Sequence, residues 1–95
     1  MFKASETIIQ LTKQKLQKPD YSKPIQFGEF HSDHMLEIDY SLDNGWEKPV
    51  ISPYHNLSLD PRNSAIHYAI TLFEGMKAYR NNKELYLFRP ELNMI

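Results

Sequence analysis

Two groups of side chains have the types and spacing for chemistry. His31 and His34 stand three residues apart with Asp33 between them, a set of donors that could bind a divalent metal. On extended backbone, residues three apart point to opposite faces, and no glutamate or third histidine follows at ligand spacing. Surface or turn histidines are therefore expected. Glu74 and Lys77 flank Gly75 and could form a proton-transfer pair or supply a Schiff-base nucleophile. Nothing nearby would desolvate Lys77, so a solvated ion pair is expected instead. Aromatic residues make up 13% of the chain. Phe27, Phe30, Tyr68, Phe73 and Tyr79 are expected around one helix and the strands that pack on it, filling a core. Tyr68 could also serve a pocket, its ring against apolar substrate and its hydroxyl on a polar group.

The elements that must position these residues follow from periodicity and turn chemistry. Residues 7–12 are β-branched and partly alternating, which predicts a short strand. Residues 13–24 carry four Lys, two Pro and almost no apolar side chains, so they read as a linker or surface arm. Over 30–40, Met35, Glu37 and Asp39 alternate with Leu36, Ile38 and Tyr40, the clearest strand in the chain. Asp43-Asn44-Gly45 then predicts a hairpin that resumes at Trp46. Pro49 and Pro53 assign Val50 and Ile51 to an edge strand or an extended connection. Residues 56–59 alternate again. In 61–73 the period changes: Ala65, Ile66, Ala69, Ile70 and Phe73 draw one apolar stripe, which predicts a helix capped by Asp60 and stopped at Gly75. Residues 76–79 and 84–88 read as two strands joined by a turn at 80–83. Arg89-Pro90-Glu91 has the form of a new helix start, since proline is pre-shaped for the first helical position.

Composition limits what these elements can build. Ninety-five residues, 41% of them hydrophobic, suffice for one small domain. A formal net charge of -1 argues against nucleic acid or an anionic membrane as partner. With no cysteine there is neither a disulfide framework nor a thiolate zinc site. No apolar run approaches the roughly 20 residues that span a bilayer. The amino terminus has neither an apolar signal region nor the arginines of a mitochondrial presequence, so the expected location is cytoplasmic.

The run His67-Tyr68-Ala69-Ile70-Thr71-Leu72-Phe73-Glu74-Gly75-Met76-Lys77-Ala78-Tyr79-Arg80, followed by Leu87-Phe88-Arg89-Pro90-Glu91-Leu92-Asn93-Met94, resembles the branched-chain amino acid aminotransferases. Phe27-Gly28, Ser32-Asp33-His34-Met35-Leu36, Gly45-Trp46-Glu47-Lys48-Pro49 and Asn56-Leu57-Ser58-Leu59 keep that family's order and nearly its spacing. The start, Phe2-Lys3-Ala4-Ser5 with Ile8-Ile9-Gln10-Leu11-Thr12, is similar to the eukaryotic cytosolic form. Another fold-type IV enzyme, such as a D-amino acid aminotransferase or an aminodeoxychorismate lyase, fits the strings Leu72 to Arg80 and Leu87 to Pro90 less well.

The resemblance implies an α+β fold: the small amino-terminal domain of a fold-type IV pyridoxal phosphate enzyme, with antiparallel strands packed on a helix, cut short at Ile95. Residues 1–26 would be an amino-terminal strand and arm, and 27–95 a partial small domain. The implied activity is transfer of the amino group of leucine, isoleucine or valine to 2-oxoglutarate by a homodimer, using pyridoxal phosphate. Phe27 and Phe73 would wall the site for the branched side chain, and Tyr68 would help close it from the neighbouring subunit. The family's Schiff-base lysine, its phosphate-binding arginine and the carboxylate facing the pyridine nitrogen would all lie beyond the position of Ile95, so no catalytic residue is assigned in this chain. Residues 40–44 are one longer than in mitochondrial relatives, and Ile95 replaces an acidic residue. A truncated frame, an alternative exon and a mis-assigned gene end are all open. A second functional class also stands: a non-catalytic module that pairs with full-length subunits.

Overall fold

A computed structural model describes residues 2–88. The expected helix start at Arg89-Pro90-Glu91 and the chain end at Ile95 lie outside the described residues. The chain forms two compact units, Met1–Leu57 and Ser58–Ile95.

In the first unit a three-stranded sheet forms from β1 (Ile8–Ile9), β2 (His34–Glu37) and a strand at Val50–Pro53. Between β2 and that strand lie β3 (Tyr40–Ser41) and β4 (Gly45–Trp46), so the strand at Val50–Pro53 is β5. Its place corrects the expectation of an edge strand, because β5 is the centre of the sheet, in the order β1-β5-β2. Proline is tolerated there because neither Pro49 nor Pro53 withholds an N–H from the middle of a ladder. Pro49 precedes the strand and contributes its carbonyl, which accepts from the Ile8 N–H at 2.9 Å. Pro53 is the last strand residue, opposite His34, and the next N–H, of Tyr54, donates to the Asp33 carbonyl at 3.0 Å. β1 runs parallel to β5, with Ile8 opposite Val50, whereas β2 runs antiparallel.

The hairpin expected at Asp43-Asn44-Gly45 is present as β3 and β4, closed by the three residues Leu42, Asp43 and Asn44 between the Ser41–Gly45 pair. Gly45 takes φ +71°, the left-handed conformation that such a turn needs at its exit. Tyr40 and Trp46 face each other edge-on across the hairpin, ring centres 5.1 Å apart.

The lysine-rich arm has no strand or helix, yet it is tied down by polar hooks. Thr12 N–H donates to His34 Nε2 at 2.9 Å, Leu16 N–H donates to Asp33 Oδ1 at 2.9 Å, and Lys18 Nζ reaches Asp33 Oδ2 at 3.1 Å. Asp33 thus holds two points of an arm that lacks the apolar area to hold itself.

In the second unit the helix departs most from the periodic pattern. α1 covers only Ser64–Tyr68. Its cap is Asn63, whose side chain accepts from Ala65 N–H at 2.9 Å, and not Asp60. Asp60 is instead turned onto Arg62, accepting from its backbone N–H at 2.7 Å and its guanidinium at 3.0 Å. The helix ends where Ala69 enters the left-handed region at φ 55°, well before Gly75. A short helix draws its stability from packing of its apolar stripe. Here Ile66, Ile70 and Phe73 are exposed, and α1 has no extensive contact with a strand of its unit.

The two strands expected near the carboxyl end are β6 (Lys77–Asn81) and β7 (Glu84–Phe88), paired antiparallel from Lys77–Phe88 to Asn81–Glu84. Asn82, at φ 56°, opens the two-residue loop between them, as such loops require. Among the described residues the regular structure is thus mostly strand, with one short α-helix and a single 3-10 turn at Ala4–Glu6, an α+β arrangement in the broad sense. The expected packing of strands on a long helix is not present among the described residues. Neither is the expected aromatic core: Phe27, Phe30, Tyr68, Phe73 and Tyr79 are all exposed, and Ser52 is the sole buried residue described.

Candidate functional site

Phe27 lies in the first unit, in a tight turn where Glu29 N–H donates to the Gln26 carbonyl at 3.2 Å and Gly28 has φ +77°. The turn lifts the ring clear of the sheet, leaving it fully exposed. Tyr68 and Phe73 belong to the second unit. Tyr68 closes α1 with its ring edge-on to His67 at 5.1 Å and is 73% exposed. Phe73 follows outside any helix or strand, ahead of β6, and is 94% exposed. All three present bare apolar rings. Such surfaces suit an aliphatic group, whose burial yields about 25 cal/mol per Å², and would leave a charged group unpaired.

The histidines do other work. His31 stacks on Tyr54 with ring centres 3.6 Å apart, and His34 accepts from the arm through Nε2. No group of three or more His, Cys, Asp or Glu among the described residues could hold a metal ion. Glu74 and Lys77 are both exposed, and they are not among the ion pairs of the described residues, which corrects the expected pairing. Leu16 N–H and the Lys18 ammonium hold the Asp33 carboxyl below its ordinary range, and the Arg62 guanidinium and backbone do the same for Asp60.

One arrangement escaped sequence reasoning. An open cleft of about 530 Å³ is lined by Gln10, Glu37, Asp39, Lys48, Ser52 and His55, among others. The chain leaving β5 turns back over β2, so that His55 Nε2 meets Glu37 Oε1 at 2.6 Å and His55 N–H donates to Met35 Sδ at 3.5 Å. Alternation along β2 puts Met35 and Glu37 on one face, but their partner, 18 residues on from Glu37, could be found only from the β2–β5 register.

Pyridoxal phosphate, which the resemblance implies, forms an imine with a lysine held out of water. The lysines at 3, 13, 15, 18, 23, 48, 77 and 83 are all exposed. The described residues therefore do not fit the group.

No family model matches the chain. Individual relatives do. A cytosolic branched-chain-amino-acid aminotransferase of Ovis aries is 51% identical over 94 residues, covering 98% of this chain and 24% of the relative. The mitochondrial branched-chain-amino-acid aminotransferase of Bos taurus is 45% identical with the same coverage. A cytosolic counterpart from Saccharomyces cerevisiae is 46% identical over 84 residues, covering 87% of this chain and 22% of the relative. Over nearly its whole length, then, the chain is similar to branched-chain-amino-acid aminotransferases, and it spans about a quarter of the length of the relatives it matches.

Proposed function

We propose that the chain is the amino-terminal part of the small domain of a fold-type IV, pyridoxal phosphate-dependent branched-chain aminotransferase. The whole protein would act in the cytosol as a homodimer and move the amino group of leucine, isoleucine or valine to 2-oxoglutarate. Within it this chain supplies substrate-binding surface: Phe27 and Phe73 wall the site for the branched side chain, and Tyr68 closes it from the neighbouring subunit. The cofactor is seated by residues outside this chain.

The observation that carries this reading is the 51% identity over 98% of the chain to an aminotransferase four times as long. The exposure of all three rings supports it, since a wall built for a ligand and for further protein is bare when neither is present. Segment exchange tests it. These residues replace the matching segment of the Ovis aries aminotransferase, and amino transfer from leucine to 2-oxoglutarate is assayed. The chimera should bind cofactor and turn over leucine; a folded, cofactor-loaded chimera without turnover would refute the assignment.

A second reading has its own support. No apolar side chain among the described residues is buried, which is what a module that folds against another subunit would show. As a non-catalytic module the chain would co-purify with full-length aminotransferase subunits without adding activity.

A further inference from the structure

Both ring nitrogens of His55 face acceptors. Nε2 lies 2.6 Å from Glu37 Oε1, and Nδ1 lies 2.7 Å from the Asn56 carbonyl oxygen. A carboxylate and a carbonyl have no hydrogen to give. A neutral imidazole carries one N–H, so it can satisfy one of these contacts and must set a lone pair against the other; the imidazolium, with two N–H groups, satisfies both. No other histidine here has this arrangement. His34 uses Nε2 to accept an N–H, and His31 and His67 each meet one carbonyl, through Nδ1.

The position of the ring gives the proton a mechanical consequence. His55 sits just past the central strand β5 and two residues before the first unit ends at Leu57. Its contacts with Glu37 and Met35 lay the departing chain across β2. We infer that His55 is a proton-operated clasp, holding the segment that leaves β5 against β2 as imidazolium and releasing it as neutral imidazole.

Other charged and polar groups line the same cleft. Glu37 and Asp39 bring two carboxylates to the cleft and Lys48, ahead of β5, one opposing ammonium; Gln10, Ser52 and Tyr54 add neutral polar groups. On β2 and ahead of it stand three further titratable groups: His31, stacked on Tyr54, Asp33, whose carbonyl accepts from Tyr54 N–H, and His34, opposite Pro53. The Asn56 carbonyl first, and Glu37 second, raise the His55 pKa above the ordinary histidine value. A raised folded value means that the clasp is closed below the ordinary histidine range and opens as pH rises through the raised one.

Nitrogen-15 NMR of the imidazoles in the 95-residue chain tests this across pH about 5 to 9, a range that brackets histidine titration. At the acid end both His55 nitrogens should carry protons. The midpoint should lie above that of His55 in the same chain unfolded in urea, and the amides of Tyr54, Asn56 and Leu57 should shift with it. Glu37→Gln should lower the midpoint, and Asp39→Asn, which removes charge but no bond to the ring, should lower it less. If Glu37→Gln unfolds the unit, Glu37→Asp takes its place: it keeps the charge, shortens the reach and should also lower the midpoint. An unshifted midpoint in the native chain, a midpoint indifferent to Glu37, or amides that ignore the titration would each overturn the clasp.

Discussion

Tyr68 is the residue whose role divides most sharply between packing and binding. Its ring is largely exposed at the end of α1, so in this unit it sustains no core. In the chimera with the Ovis aries protein, Tyr68→Ala should therefore cost about 1–3 kcal/mol in transition-state binding of leucine, read as kcat/KM, with a smaller effect on folding. Tyr68→Phe keeps the ring area and should retain most of the leucine kcat/KM. An unchanged turnover together with a sharply lowered melting temperature would make Tyr68 a core residue. Asp33 bears on a different question, how a polar arm is held. Its carboxyl is depressed by the Leu16 N–H and then by Lys18, so the hold is present above the ordinary aspartate range and is lost as pH falls through the depressed value. The Leu16 amide resonance should accordingly move only as pH falls below the ordinary aspartate range. Asp33→Asn should abolish that transition; its persistence would assign the arm's anchoring elsewhere.

At the scale of elements, the hairpin β3–β4 depends on one backbone conformation. Nothing would touch a Cβ at Gly45, so Gly45→Ala strains the chain only through its positive φ, at about 1–2 kcal/mol. The Tyr40–Trp46 pair should lose its near-ultraviolet circular dichroism in Gly45→Ala and keep more of it in Gly45→Asn, since asparagine tolerates that region better; equal signals in the two variants would contradict the assignment. This hairpin was legible in the sequence because its information is local: a turn residue and the pattern on either side. The strand at Val50–Pro53 was legible as extended chain but not as the sheet centre, because two flanking prolines carry the local sign of an edge while the pairing that overrides it comes from Ile8 and Leu36, far off in sequence. The helix was overread for the converse reason. The stripe from Ala65 to Phe73 has helical period, but period describes a face and does not supply the surface that would bury it. Of the candidate site, Tyr68 was offered by its side-chain chemistry and by the resemblance, Phe27 and Phe73 as pocket residues by the resemblance alone, while the Glu37–His55 contact required the fold.

For the whole molecule the decisive fact is that the chain spans about a quarter of the length of the relatives it matches and buries no apolar side chain among its described residues. With every lysine exposed, incubation of the chain alone with pyridoxal phosphate followed by borohydride trapping should give no specific label. Stoichiometric labelling of a single lysine, Lys77 for instance, would show that the chain seats the cofactor after all. The central claim, however, is that these residues build the wall for a branched aliphatic side chain. It is tested most directly in the chimera by the ratio of kcat/KM for leucine to that for alanine. The three extra carbons of leucine, at about 0.8 kcal/mol each, should favour it by about 10- to 100-fold, and Phe73→Ala should shrink that ratio. A cofactor-loaded chimera that turns over leucine and alanine alike, or whose ratio is untouched by Phe73→Ala, would contradict the account.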